Sequence, residues 1–135
     1  MEEKDLKACV YVCPRCFNKI EKCTCDMLPF ELIHIDKNIL PIIKILNEKG
    51  YFTDMCCEGH IGKTQNPFIY ISFRKGYKIK TPAPKGVVYN EGGLRADIPG
   101  SSDEAKKRNK RKLLKSIYEW ACELEDRKPQ GLKLW

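Results

Sequence analysis

Five of the eight cysteines lie within a short stretch near the N-terminus. Cys13 and Cys16 form a C-x-x-C pair, and Cys23 and Cys25 form a C-x-C pair shortly after it. Structural zinc takes four ligands in a tetrahedron, and a C-x-x-C loop lets two thiolates converge on one ion. We therefore predict a structural zinc bound by Cys13, Cys16, Cys23 and Cys25, with Cys9 able to replace Cys23 or Cys25. The alternative is a set of unrelated thiols or disulfides.

A second group of reactive side chains follows a predicted strand, in the sequence Cys57-Glu58-Gly59-His60. Cys57 and His60 have the chemistry of a nucleophile–base pair or of two ligands of a second metal site. Glycine permits a backbone that presents its amides to an anion, and we expect this turn to be exposed. The alternative is that Cys57 serves only as a small hydrophobic residue and that His60 is a solvated side chain on a turn.

The same stretch carries a family resemblance. The sequence F-T-x-x-C-C-E-G-H-I at residues 52–61 resembles the F-T-x-x-S-C-x-G-R-I pattern of the wybutosine-synthesis methyltransferases, which act on a modified guanosine in tRNA for phenylalanine. The later Gly93-Leu94-Arg95 resembles the G-x-R-E motif of that family. The resemblance implies an α/β fold over residues 31–126, with Cys57, Gly59, His60 and Arg95 near a ligand. His60 stands where the family has arginine. The chain also resembles small proteins of Firmicutes and their phages.

Seven cations lie in the N-terminal half of the last predicted helix, where the helix dipole disfavours positive charge. Residues 101–135 carry ten basic and six acidic residues, or +4 of the net charge of +7. A phosphate backbone would relieve this cost, so we predict phosphate contacts from Lys107, Arg108, Arg111 and Lys115. The alternative is a solvated helix face.

The elements that position these groups follow from periodicity and turn residues. The spacing of Ile39, Ile42, Ile43 and Leu46 predicts a buried helix that begins at Asn38 and ends at Gly50. Strands are predicted at 31–35, 51–57 and 67–73, the last of them central, with a hairpin over 87–98. A capping box at Ser101 predicts the start of a second helix.

These elements predict an α+β or α/β fold with a small mixed sheet flanked by two main helices. We expect a zinc-binding knuckle over residues 1–30 and a compact domain over residues 31–135 that ends in a basic amphipathic helix. Arg95 would reach Cys57 and His60 if its strand neighbours theirs.

Composition narrows the function classes. Apolar residues make up 42% and charged residues 32%, and no apolar run approaches the roughly 20 residues of a membrane span. The first ten residues mix charges without an apolar core, so we expect a cytoplasmic protein whose thiols stay reduced. The chain lacks the sequence G-x-x-x-x-G-K-[ST] of a phosphate loop and also lacks H-E-x-x-H.

The function predicted from the sequence is binding of a nucleotide or RNA element in a cleft near Cys57 and His60, without turnover. One alternative is an inhibitor or sponge, encoded by a phage or mobile element, that sequesters a host protein or a nucleotide signal. Another alternative is a tRNA-modifying, methyltransferase-like enzyme. The modest positive charge permits each of these partners.

Overall fold

A computed structural model describes residues 9–14, 16–19, 22, 33–62 and 65–127. Its described elements are six strands and two helices: β1 Cys9–Val12, β2 Ile33–Asp36, α1 Leu40–Glu48, β3 Thr53–Cys57, β4 Phe68–Phe73, β5 Val88–Asn90, β6 Gly93–Asp97 and α2 Asp103–Glu123. The predicted α+β class and the two main helices are confirmed. Every described strand pair is antiparallel, so α+β rather than α/β is the class of this fold.

Strands β1 and β2 form a two-stranded sheet that joins the cysteine-rich segment to the rest of the protein. Val10 pairs with Ile35, and Val12 and Phe17 are buried in the same core cluster as both helices. No strand was predicted within residues 1–30, whereas β1 lies there. The missed strand is only four residues long, and the cysteines around it obscure its alternation.

The second sheet has the strand order β3-β4-β6-β5, with β4 and β6 in the interior. The central position predicted for β4 is confirmed. Along β4, Ile69, Ile71 and Phe73 are buried, whereas Phe68, Tyr70 and Ser72 are only half-buried. This alternation gives the sheet an inner face against the core and an outer face, because successive side chains point to opposite sides of a strand.

The outer sheet face can be assigned by register, since directly paired residues share a face. Across the sheet, Cys57 pairs with Tyr70, Tyr70 with Arg95, and Arg95 with Val88. We use the term outer sheet face for these four residues together with Phe68, Ser72, Asn90, Gly93 and Asp97.

Helix α1 packs against the core through a broad apolar side. Leu40, Ile42, Ile43 and Leu46 are buried, and Pro41 lies in the first turn, where its missing N–H costs nothing. Asn38 was predicted to cap this helix. The residue at the cap position is Ile39, without a side-chain bond, because both the backbone and the side chain of Asn38 donate to the carboxylate of Glu58.

Helix α2 lies along the core through Ile117, Trp120 and Ala121. The hydroxyl of Ser102, one residue after the predicted cap, accepts a hydrogen bond of 3.1 Å from the Ala105 amide. The ammonium of Lys49 donates to three carbonyl groups at the other end of the helix, which joins the end of α1 to that of α2. In the described part of the chain, neither helix is long and apolar enough to cross a membrane.

Candidate functional site

Three side chains with metal-ligand chemistry converge where β2 and β3 end. A carboxylate oxygen of Asp36, the Cys57 thiol and an imidazole nitrogen of His60 all lie within 4.8 Å of one another. The Oδ2 atom of Asp36 and the Nε2 atom of His60 are 3.2 Å apart. The side chain of Asp36 is 11% exposed and that of His60 36% exposed, so the cluster opens to solvent on the histidine side.

A charged brace fixes the loop that carries Cys57 and His60. Glu58 is 2% exposed, and its carboxylate accepts two hydrogen bonds from Asn38. The carboxylate also forms an ion pair of 2.5 Å with the Lys110 ammonium. The same ammonium donates to the Gly59 carbonyl at 2.8 Å. In addition, the Glu58 amide donates to Asp36 at 3.0 Å. Helix α2 and the β2–α1 turn therefore hold this loop from both sides.

The surroundings of Cys57 raise the pKa of its thiol. Burial raises its pKa, the Gly59 N–H lowers it, and the Asp36 carboxylate, which accepts a hydrogen bond from the thiol, raises it further. A nucleophilic cysteine instead needs a lowered pKa and an adjacent base. Here a carboxylate accepts the thiol's hydrogen bond, and Asp36, Cys57 and His60 together form a group of side chains that could hold a metal ion.

Gly59 does not lie on an exposed turn, contrary to the sequence-based expectation. It is buried with φ of +82°, and a Cβ built on it would lie 2.6 Å from Ile98 Cδ1. Its N–H points at the Cys57 thiol, with a nitrogen–sulfur distance of 3.4 Å. Both backbone groups of Gly59 thus have partners within the protein.

Arg95 lies on the outer sheet face, but its strand does not neighbour that of Cys57. Strand β4 lies between them, and Tyr70 separates the two residues in the row across the sheet. The Arg95 guanidinium stacks 3.7 Å from the centre of the Phe68 ring and contacts Asp97 at 3.2 Å. The four residues Cys57, Gly59, His60 and Arg95 therefore form two neighbouring groups, joined by Tyr70.

The outer sheet face is aromatic at its centre. The rings of Phe68 and Tyr70 are 5.7 Å apart and tilted by 38°. Beside them an open depression of about 430 Å³ lies over Gly93, between Tyr70, Arg95 and Val88. Sequence analysis identified β4 as a strand but did not identify these rings as site residues. The signal was present in the alternation of Phe68-Ile69-Tyr70-Ile71, which places both rings on one side.

The cations predicted to contact phosphate are distributed along α2. Lys107, Arg108, Arg111 and Lys115 are all exposed. Two other members of the basic run, Lys106 and Lys110, donate to the carbonyls of Gln65 and Gly59. The N-terminal half of α2 therefore lies beside Gly59 and Gln65, in the connection between β3 and β4.

The predicted zinc knuckle is described only in part. Cys13 is buried and Cys16 half-buried, while Cys23 and Cys25 lie outside the described residues. The Phe17 amide donates to the Cys13 carbonyl at 2.8 Å, and Phe17 has φ of +58°, the only non-glycine residue with positive φ among those described. Such a backbone persists only where surrounding structure holds it.

No protein-family model, curated protein or solved structure matches this chain. The resemblance to the wybutosine-synthesis family therefore stays a prediction.

Proposed function

We propose that the protein binds single-stranded RNA on the outer sheet face. The observation that carries this proposal is the pair of aromatic rings of Phe68 and Tyr70 on an interior strand, with the Arg95 guanidinium stacked on the first of them. Unpaired bases stack on aromatic rings and on guanidinium planes, and every base has a face that can do so.

The depression between Tyr70, Arg95 and Val88 supports this proposal, because it offers space for a base beside the Tyr70 ring. Asn90 and Ser72 border the depression and supply hydrogen-bonding groups for base edges. The nucleotide or RNA cleft predicted near Cys57 and His60 thus extends, in this proposal, across the sheet to Arg95.

Charge supports the same partner. The four exposed cations lie on α2, whose N-terminal half donates to the carbonyls of Gly59 and Gln65 in the connection between β3 and β4. In our proposal the RNA backbone leaves the sheet beside this connection and contacts Lys107, Arg108, Arg111 and Lys115. Such contacts release counterions and make affinity fall with salt concentration.

Fluorescence anisotropy with a labelled single-stranded RNA tests this function. Tyr70→Ala is expected to weaken binding about 5- to 150-fold, because base–aromatic stacking contributes about 1–3 kcal/mol per base. Tyr70→Phe keeps the ring and is expected to bind like the wild type. Tyr118→Ala is the matched control, since it removes a 42%-exposed ring from α2 rather than from the sheet.

The outcome that contradicts the proposal is equal affinity of the wild type and Tyr70→Ala for RNA, or no binding by the wild type at low salt. Single-stranded DNA and mononucleotides serve as further ligands in the same assay. Tighter binding of mononucleotides than of RNA would replace the proposed partner with a free nucleotide.

We also propose that Cys13, Cys16, Cys23 and Cys25 bind one structural zinc ion in a cytoplasmic protein. The positive φ of Phe17 supports this, because a metal bound just before it would hold the turn in that conformation. Four thiolates leave no open position, so this zinc contributes to folding rather than to chemistry.

Cys16→Ser is expected to lose one equivalent of zinc and to lower the melting temperature. Inductively coupled plasma mass spectrometry of the purified protein measures the first effect, and circular dichroism measures the second. Cys122→Ser, which changes an exposed thiol on α2, is expected to change neither. Equal metal content in Cys16→Ser and the wild type would contradict the knuckle.

A further inference from the structure

We propose that Asp36, Cys57 and His60 form a second metal site, which binds a divalent transition-metal ion of the zinc type. The site is separate from the cysteine knuckle, and its test does not depend on RNA binding. Cys57 and His60 have the sequence spacing of two metal ligands, and the structure adds Asp36 as the third.

The spacing of the ligand atoms fits a tetrahedral ion. Zinc–nitrogen and zinc–oxygen bonds of about 2.0–2.2 Å place neighbouring ligand atoms about 3.3 Å apart. The observed distance between Asp36 Oδ2 and His60 Nε2 is 3.2 Å. The Cys57 thiol lies within 4.8 Å of both atoms. A shift of its Sγ atom by about 1 Å would complete three corners of the tetrahedron.

The charge of the cluster also fits. One carboxylate and one thiolate together balance a divalent cation, while the nearby negative charge of Glu58 is already paired with Lys110. Without a cation, a Cys57 thiolate would lie beside the Asp36 carboxylate. A metal ion turns this repulsion into two attractive bonds.

Hydrogen bonds around the cluster orient two of the three ligands. The Glu58 amide fixes the Asp36 carboxylate, and the Gly59 amide is directed at Cys57 Sγ. Such partners orient ligands and stabilise the thiolate form that binds metal. The positive φ of Gly59 allows the C-x-x-H loop to place its N–H there.

The ligand set selects the class of ion. A thiolate with an imidazole and one carboxylate suits zinc, cobalt or iron, whereas magnesium and calcium require oxygen ligands. Three protein ligands also leave one of four positions for water or an anionic oxygen, as in catalytic zinc sites. His60 is 36% exposed, so solvent and small ligands have access from its side.

Cobalt(II) binding to the full-length protein tests the site, because each cobalt–thiolate bond gives a charge-transfer band. A Cys16→Ser background weakens the predicted knuckle site, and the part of the remaining band that Cys57→Ser abolishes reports Cys57. We expect this part to have the intensity of a single thiolate and to correspond to about one equivalent of cobalt. Adding Cys57→Ser or His60→Ala is expected to weaken the affinity, measured by chelator competition, at least about 100-fold.

Two further variants distinguish loss of the metal site from loss of the fold. His60→Cys replaces one ligand by another and is expected to retain cobalt with a second thiolate band, which would show that the loss in His60→Ala comes from the missing ligand. Cys122→Ser in the same background is expected to bind like its parent. Unchanged affinity in Cys57→Ser and His60→Ala, or no cobalt band in the Cys16→Ser background, would overturn the proposal.

Discussion

Replacing Lys110 by methionine is expected to lower the free energy of unfolding by about 3–5 kcal/mol, because it leaves the buried carboxylate of Glu58 without its counter-charge. The side chains of Lys110 and Glu58 are 15% and 3% exposed, so water cannot replace the ammonium at the carboxylate. Methionine keeps most of the apolar stem, and the effect therefore reports the lost charge rather than lost packing. Urea denaturation followed by circular dichroism measures it.

Two controls separate the buried pair from a general effect of charge on this basic helix. Lys112→Met removes an exposed cation two residues away and is expected to change stability by no more than about 0.5 kcal/mol. The double variant Glu58→Gln/Lys110→Met removes both charges and is expected to recover part of the loss. If Lys110→Met is as stable as Lys112→Met, the pair does not stabilise the fold.

The parts of the fold with clear local signals were predictable. Helix α1 has regularly spaced apolar residues and a glycine just after its C-terminal end. Its predicted extent matches Leu40–Glu48 closely. Strand β4 was predicted to be central because it is apolar and aromatic on both sides, and it is an interior strand. In these elements the propensity of each residue agrees with the tertiary structure, which is the condition under which local reasoning succeeds.

The expectations that were wrong depend on contacts between residues far apart in the sequence. Asn38 is a good capping residue, but Glu58 takes its hydrogen bonds from a distance of 20 residues. Gly59 has the sequence signature of a turn, yet Ile98 packs against it and buries it. No local pattern carries information about a partner from another strand or helix.

The candidate site was predicted only in part, because one of its side chains is distant in the sequence. Cys57 and His60 are three residues apart, so their proximity was readable from spacing. Asp36 is 21 residues before Cys57, and only the arrangement of β2 beside β3 brings its carboxylate to them. Arg95 was linked to the same group through an assumed strand neighbour, whereas Tyr70 on β4 occupies that place.

The brace on Glu58 and the metal cluster have different tests because they use different atoms. Lys110→Met acts on the carboxylate of Glu58, while the Glu58 amide, which donates to Asp36, is unchanged by the substitution. A destabilised Lys110→Met protein that still binds cobalt would show that the cluster tolerates a weakened brace. Loss of both would show that the brace holds the ligands in place.

Gly59→Ala is expected to destabilise the protein by about 2–5 kcal/mol. A left-handed backbone costs a non-glycine residue about 1–2 kcal/mol, and Gly59 has φ of +82°. Crowding adds about 1–3 kcal/mol, because the new Cβ would lie 2.6 Å from Ile98 Cδ1 and 3.1 Å from the Phe68 carbonyl oxygen. The isoleucine methyl group can move, but the carbonyl belongs to the backbone of β4.

Gly62→Ala separates these two costs. Gly62 has nearly the same φ, +91°, but the nearest atom to a new Cβ is 3.9 Å away, so only the backbone cost of about 1–2 kcal/mol applies. The difference between the two variants, measured by urea denaturation, therefore gives the cost of crowding at Gly59 alone. Equal stability of the two would mean that Ile98 does not pack against this glycine and that the loop is as exposed as its sequence indicated.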